Sequence, residues 1–280
     1  MAVRIVTDST CDLPADLVTA YGITVVPLTV FFGEEALLDG VEINADEFYE
    51  RLRASRQVPR TSQPSVELFR AAYEELGHEG NEIVSIHISS QLSGTLNAAS
   101  VAREQAVEQG VRVDLIDSYN VSLGLGLIVL EAAAAANSGA RLDEVVAVAR
   151  RAMDRVNVYV VVDTLEYLQR GGRIGRARSL LGSVLSIKPI LHVENGEVAP
   201  FERVRTRTRA IERIEDLATS HSRSKMMFVA SGGNDDESEA FIERMRPQLP
   251  HTDLALAQLG PIVGVYTGPN ALGIATLERE

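Results

Sequence analysis

Apolar positions along this chain change period repeatedly, from short runs that suit buried strands to three- and four-residue spacings that suit helices. Val3, Ile5 and Val6 form the first run. The polar Thr7-Asp8-Ser9-Thr10 follows, then a helix over 16–21 opened by Pro14. Residues 23–32 form a second β-rich run, and 33–40 read as a turn with a hairpin return. Helical patterns cover 46–55, through Phe48 and Leu52, and 66–75, capped by Ser65. Between them, Pro59-Arg60-Thr61-Ser62-Gln63-Pro64-Ser65 reads as a loop. The β-branched stretch Ile83, Val84, Ile86, Ile88 predicts a buried strand. It hands over, through Ser89-Ser90-Gln91-Leu92-Ser93-Gly94-Thr95, to a helix carrying Leu96, Ala98, Ala99 and Val101. A strand over 111–116 ends in Asp117-Ser118, and helices follow over 122–136 and 142–154. Repeated strand, polar loop and helix is the α/β pattern, in which ligands sit at the strand ends.

A second half begins near Val156. Strands are expected over 158–162, 226–230 and 254–259, with a hairpin turning at Glu194-Asn195-Gly196. Residues 169–178 hold four arginines and three glycines. Arg203, Arg205, Arg207 and Arg209 alternate, so they share one face on a strand or spread around a helix start. Residues 261–273 are glycine-rich around Tyr266 and Thr267.

The 280 residues suit one large or two ordinary domains. A net charge of −12 argues against nucleic acid as a general partner, since phosphate binding needs a basic face. Cys11 is the sole cysteine, so an internal disulfide is excluded. With no visible signal segment and no apolar stretch of membrane length, a soluble cytoplasmic protein is expected.

The hydroxyl loop carries the candidate chemistry. Ser93, Gly94 and Thr95 stand where a strand becomes a helix, and a helix start offers unpaired N–H groups and partial positive charge. Gly94 admits a ligand to the backbone while the flanking hydroxyls donate, which makes an anion site. The same residues fit ordinary helix capping. The five histidines are scattered and form no ligand pair, so no metal is expected. No phosphate-binding Walker loop is present, and the glycines of 169–178 lack the dinucleotide spacing. Ser93 lies outside any G-x-S-x-G elbow, and neither it nor Cys11 has a placed base. An acyl or phosphoryl transferase or hydrolase using Ser93 or Cys11 stays open as the alternative. Neutral donors without a base suit holding an anion better than transforming it.

Several motifs together resemble the DegV family of bacterial fatty-acid-binding proteins, carrier subunits for fatty acid kinase. They are Thr7-Asp8-Ser9-Thr10-Cys11-Asp12-Leu13-Pro14, Thr61-Ser62-Gln63-Pro64-Ser65, Ser89-Ser90-Gln91-Leu92-Ser93-Gly94-Thr95, Arg170-Gly171-Gly172-Arg173-Ile174, Val204-Arg205-Thr206-Arg207, and Gly268-Pro269 before Ala271-Leu272-Gly273. The resemblance implies a two-domain α/β fold. Residues 1–155 would hold a parallel sheet flanked by helices, and 156–280 a mixed sheet with helices. A long-chain fatty acid such as palmitate would lie between them, with no other cofactor. Its carboxylate would meet Thr61 and Ser93, with Gly94, Thr95, Tyr266 and Thr267 completing the site. Tyr266 stands where the family carries a histidine. Arg170, Arg173 and Arg205 would dock the kinase.

Overall fold

The computed structural model describes residues 2–55, 58–181 and 187–280. In chain order the first elements are β1 (Val3–Asp8), α1 (Ala15–Tyr21), β2 (Thr24–Val26), β3 (Thr29–Phe32), β4 (Glu35–Leu38), α2 (Ala45–Ala54) and β5 (Arg60–Ser62). Then come α3 (Val66–His78), β6 (Glu82–His87), α4 (Thr95–Glu108), β7 (Val113–Asp117), α5 (Leu123–Asn137) and α6 (Leu142–Met153). The rest comprises β8 (Val156–Val161), α7 (Glu166–Arg170), β9 (Lys188–Glu194), β10 (Glu197–Val204) and α8 (Arg207–Ser220). It ends with β11 (Ser224–Ser231), α9 (Asp235–Met245), β12 (Asp253–Gln258), α10 (Pro261–Thr267) and β13 (Leu272–Glu278).

Strands β2-β1-β6-β7 make a parallel sheet. Its strands are apolar on both faces because both are covered. Val6 and Ile83 pack towards α3 and α4, while Ile5, Val84 and Ile86 pack towards α5 and α6. The second sheet runs β10-β9-β8-β13-β11-β12 and is antiparallel except between β11 and β12. Its outer face is covered by α8 and α9 through Ile214, Leu217, Phe241 and Met245. Its inner face meets α5, whose residues 123–130 are buried all round. A helix pressed between two sheets has no side left for polar residues, which explains the uninterrupted apolar run over 123–130; Glu131 follows, ion-paired with Arg155 and Lys225.

A third, small antiparallel sheet, β4-β3-β5, contains the expected hairpin return, β3 with β4, and adds β5, which was not legible in the sequence. The run over 23–32 splits at Pro27-Leu28: β2 stays in the parallel sheet and β3 leaves it. Proline has no N–H to give a ladder, so the run cannot continue as one central strand. The segment 59–65, expected as a loop, contains β5, which pairs Thr61 with Val30. The glycine-rich 261–273 contains α10, opened by Pro261. The Asn195-Gly196 turn forms as expected, with φ of 53° and 81°, values that favour these two residue types. The alternating arginines spread: Arg203 lies on β10, Arg205 lies beyond it, and Arg207 and Arg209 enter α8.

Candidate functional site

Three elements bring hydroxyls to one end of a chamber between the two large sheets. Pairing of β5 with β3 presents Thr61; the strand-to-helix junction after β6 presents Ser93; α10 presents Tyr266. Thr61 Oγ1 and Tyr266 Oη lie 2.6 Å apart, although the residues are 205 apart in sequence. Ser93 Oγ lies 2.9 Å from Thr95 Oγ1 and accepts the Thr95 N–H at 3.3 Å. Each head-end hydroxyl is therefore backed by a second hydroxyl, which orients it. The cap residue Gly94 makes no side-chain cap, and the N–H groups of Gly94 and Leu96 have no partner among the described residues. A side chain at Gly94 would collide with Gln63, its Cβ falling 1.9 Å from Gln63 Oε1. A side chain there would therefore displace the Gln63 amide from the α4 start.

The chamber holds about 310 Å³. Away from the hydroxyls its wall is mostly apolar, formed by Ile88, Leu123, Val160, Leu191, Ile262 and Ala275, with the imidazole of His192 on β9 among them. The inner faces of β8, β9 and β13 supply one side and the strand-end loops of the parallel sheet the other. Small residues Gly273 and Ala275 on β13 leave the space open.

Thr61, Ser93, Gly94, Tyr266 and Thr267 all line the chamber. Thr95 does not; it is buried and reaches the chamber only through Ser93. The Thr267 hydroxyl donates to the Val263 carbonyl at 3.2 Å within α10. Of the three arginines expected at a docking face, Arg173 lines the chamber mouth. Its guanidinium lies 5.2 Å from the Tyr266 ring centroid and donates to the carbonyls of Leu92 at 3.1 Å and Gly171 at 2.8 Å. It therefore ties the Ser93 loop to the α10 aromatic ring. Arg170 is exposed and ion-paired with Glu166; Arg205 is exposed with no ion pair among the described residues. Thr10, Gln63 and Ser122 also line the chamber and were not singled out in the sequence. Thr10 is pinned by Asp8 and Ser122 by Asp12, each hydroxyl donating at 2.5 Å.

His87, scattered from the other histidines in sequence, is a satisfied core side chain. Its Nδ1 meets Asp8 Oδ2 at 3.0 Å, and its Nε2 lies 2.7 Å from Ser85 Oγ, itself 2.8 Å from Tyr73 Oη. Burial pushes the Cys11 thiol far up, assisted by the carboxylates of Asp8, Asp12 and Asp39, which disfavours a thiolate nucleophile. The Ser93 hydroxyl bonds Thr95 and no imidazole. No group of histidine, cysteine or carboxylate ligands suited to a metal ion occurs among the described residues. Among those residues no helix is long and apolar enough to cross a membrane.

Fold and chamber together define an α/β protein with an apolar cavity that ends in oriented hydroxyls at a helix start. The chain belongs to the DegV family, whose model, described as an uncharacterised protein family, matches residues 2–279. A DegV domain-containing protein of Streptomyces coelicolor is 40% identical over 281 residues, 99% of each chain. A Thermus thermophilus structure reported as fatty acid binding of a DegV family protein has a TM-score of 0.91 and 35% identity, covering 100% of both chains. A stearic acid-binding protein from Eubacterium ventriosum has a TM-score of 0.92 at 25% identity, covering 99% of this chain and 98% of that one.

Proposed function

We propose that this protein binds one long-chain fatty acid and presents it to a fatty acid kinase, without itself catalysing a reaction. The reading divides the chain into domains 1–155 and 156–280 with the acyl chain between them. The observation that carries it is the largely apolar chamber lined by Thr61, Tyr266 and Ser93, the first two paired with each other and Ser93 backed by Thr95. Solved relatives described as fatty acid binding support it. An acyl chain of about 15 methylenes at ~0.8 kcal/mol each contributes roughly 12 kcal/mol of gross burial, from which association costs are subtracted. The tail carries affinity. The carboxylate contacts fix orientation against the positive end of α4.

Denaturing extraction of the purified protein, followed by mass spectrometry, should release about one long-chain fatty acid per chain. Stripped protein that takes up no fatty acid would overturn the reading. Recovery of the acid unchanged separates a carrier from an esterase using Ser93.

The paired hydroxyls make a sharper expectation. Ser93→Ala removes a donor to a charged group and should weaken binding by about ten- to a hundredfold, or 1.5–3 kcal/mol. Thr61→Ala and Tyr266→Phe should each weaken it as well, yet the double variant should cost less than the sum by roughly 1 kcal/mol, because one hydroxyl acts through the other. Calorimetric titration of the four proteins checks this; strict additivity would place the two groups at separate contacts.

Arg170 and Arg205 are both exposed; Arg205 has no ion pair among the described residues, and Arg170 would exchange its surface pair with Glu166 for an acidic partner. Substituting both with alanine should leave lipid affinity unchanged and slow phosphorylation of the bound acid by a cognate kinase. Loss of lipid binding with unchanged turnover would reverse their assignment.

A further inference from the structure

A second groove, of about 760 Å³, lies apart from the acyl chamber. Asp12, Asp39, Asp235 and Glu239 line it, and no lysine, arginine or histidine does. Its apolar rim includes Val41, 70% exposed, and Leu256, 38% exposed. Asp39 is only 5% exposed, and its Oδ2 has no hydrogen-bond partner among the described residues. Burial raises its pKa to about 7; a hydrogen bond from the Ser9 hydroxyl works against the rise and the neighbouring Asp8 adds to it. Among the described residues no cation lies beside this carboxyl, and one brought to it would favour its charged form.

The groove also runs between two sheet edges. Strand β12 is outermost in the six-stranded sheet and pairs only with β11; β2 is outermost in the parallel sheet and pairs only with β1. Leu256, Ala257 and Gln258 of β12 face Val25 and Pro27 at the end of β2 across it. An outer strand leaves a row of N–H and C=O groups open to another chain. Strand β12, with six residues against three in β2, offers the longer ladder.

We propose that this groove docks an extended segment of a partner protein, one that alternates basic and apolar side chains and pairs with β12. Main-chain hydrogen bonds to the edge supply affinity, and side chains alternate between groove and solvent. Because strand side chains alternate, the lysines or arginines share the groove side and meet its open carboxylates, while the apolar residues share the opposite side.

The test uses the isotopically labelled full-length protein and the hexapeptide acetyl-Lys-Val-Lys-Val-Lys-Val-amide. Amide shifts should change along β12 and around Val41, with slowed hydrogen exchange in β12. The glutamate counterpart of the peptide should not bind, nor should a version N-methylated at alternate amides. Leu256→Lys, and separately the double change Asp235→Lys with Glu239→Lys, should each weaken the basic peptide by at least about tenfold while fatty acid uptake stays at the wild-type level. Retained uptake shows that the variants are folded. No shifts at millimolar peptide, equal binding of the glutamate or N-methylated peptide, or shifts mapping elsewhere would each overturn the proposal.

Discussion

Gly273→Leu should reduce affinity for a long-chain fatty acid by about a hundredfold while leaving the protein folded. Residue 273 lies on β13 between Leu272 and Ile274, which face the outer core, so its own position faces the chamber. A Cβ there would meet the Tyr159 carbonyl oxygen at 3.2 Å and Val160 Cβ at 3.5 Å, contacts that small adjustments accommodate. The rest of a leucine side chain would project into the cavity. It would displace three to four methylenes of ligand, worth about 3 kcal/mol at ~0.8 kcal/mol each, which is about a hundredfold in Kd. A ten-carbon acid, which leaves part of the chamber empty, should lose much less than a sixteen-carbon acid. Titration of both acids distinguishes a filled chamber from a damaged fold, in which both would fall together. Equal affinity of wild type and variant for the longer acid would show that the tail runs elsewhere.

Asp8→Ala should destabilise the protein by about 3–5 kcal/mol, because several buried donors lose their acceptor at about 1–3 kcal/mol each. Asp8 is fully buried at the end of β1, and both its oxygens are occupied. Oδ1 accepts from the Thr10 N–H at 3.1 Å and the Thr10 hydroxyl at 2.5 Å; Oδ2 accepts from the Ile88 N–H at 3.0 Å and from His87 Nδ1 at 3.0 Å. Alanine would leave these donors orphaned where water does not reach. Asp8→Asn should recover only part of the loss, since its NH2 must face donors on one side. Because Thr10 and Ile88 line the chamber, lipid affinity should fall together with stability. Urea unfolding is the measurement, with a drop of roughly 1 M or more in midpoint expected; an unchanged midpoint would mean that the network contributes no net stability.

The chemistry of the chamber was legible only in part. The Ser93-Gly94-Thr95 junction is legible locally as a place for an anion, although the same residues fit ordinary helix capping. Thr61 and Tyr266 carry no local signal of their meeting. Their contact depends on β3 leaving the parallel sheet after Pro27, on β5 pairing with it, and on α10 packing against α2 through Phe48, Tyr49, Ile262 and Val265. Arg173 reads as one more surface arginine in a glycine-rich stretch, and only packing places it over the Tyr266 ring.

By itself the sequence determined the alternation of strands and helices, the polar loops at the ends of β1, β6 and β7, the Asn195-Gly196 hairpin and the family. These follow from periodicity, turn chemistry and contiguous motifs, which act over a few residues. Tertiary structure alone decided that β5 joins the β3-β4 hairpin in a third small sheet, that α5 is shared between two sheets, and that Thr95 supports Ser93 from behind. It also decided which small residues keep a cavity open. The reason is physical: a cavity is space left between elements far apart in the chain, so its walls are set by how sheets and helices stack, and no local propensity encodes that distance.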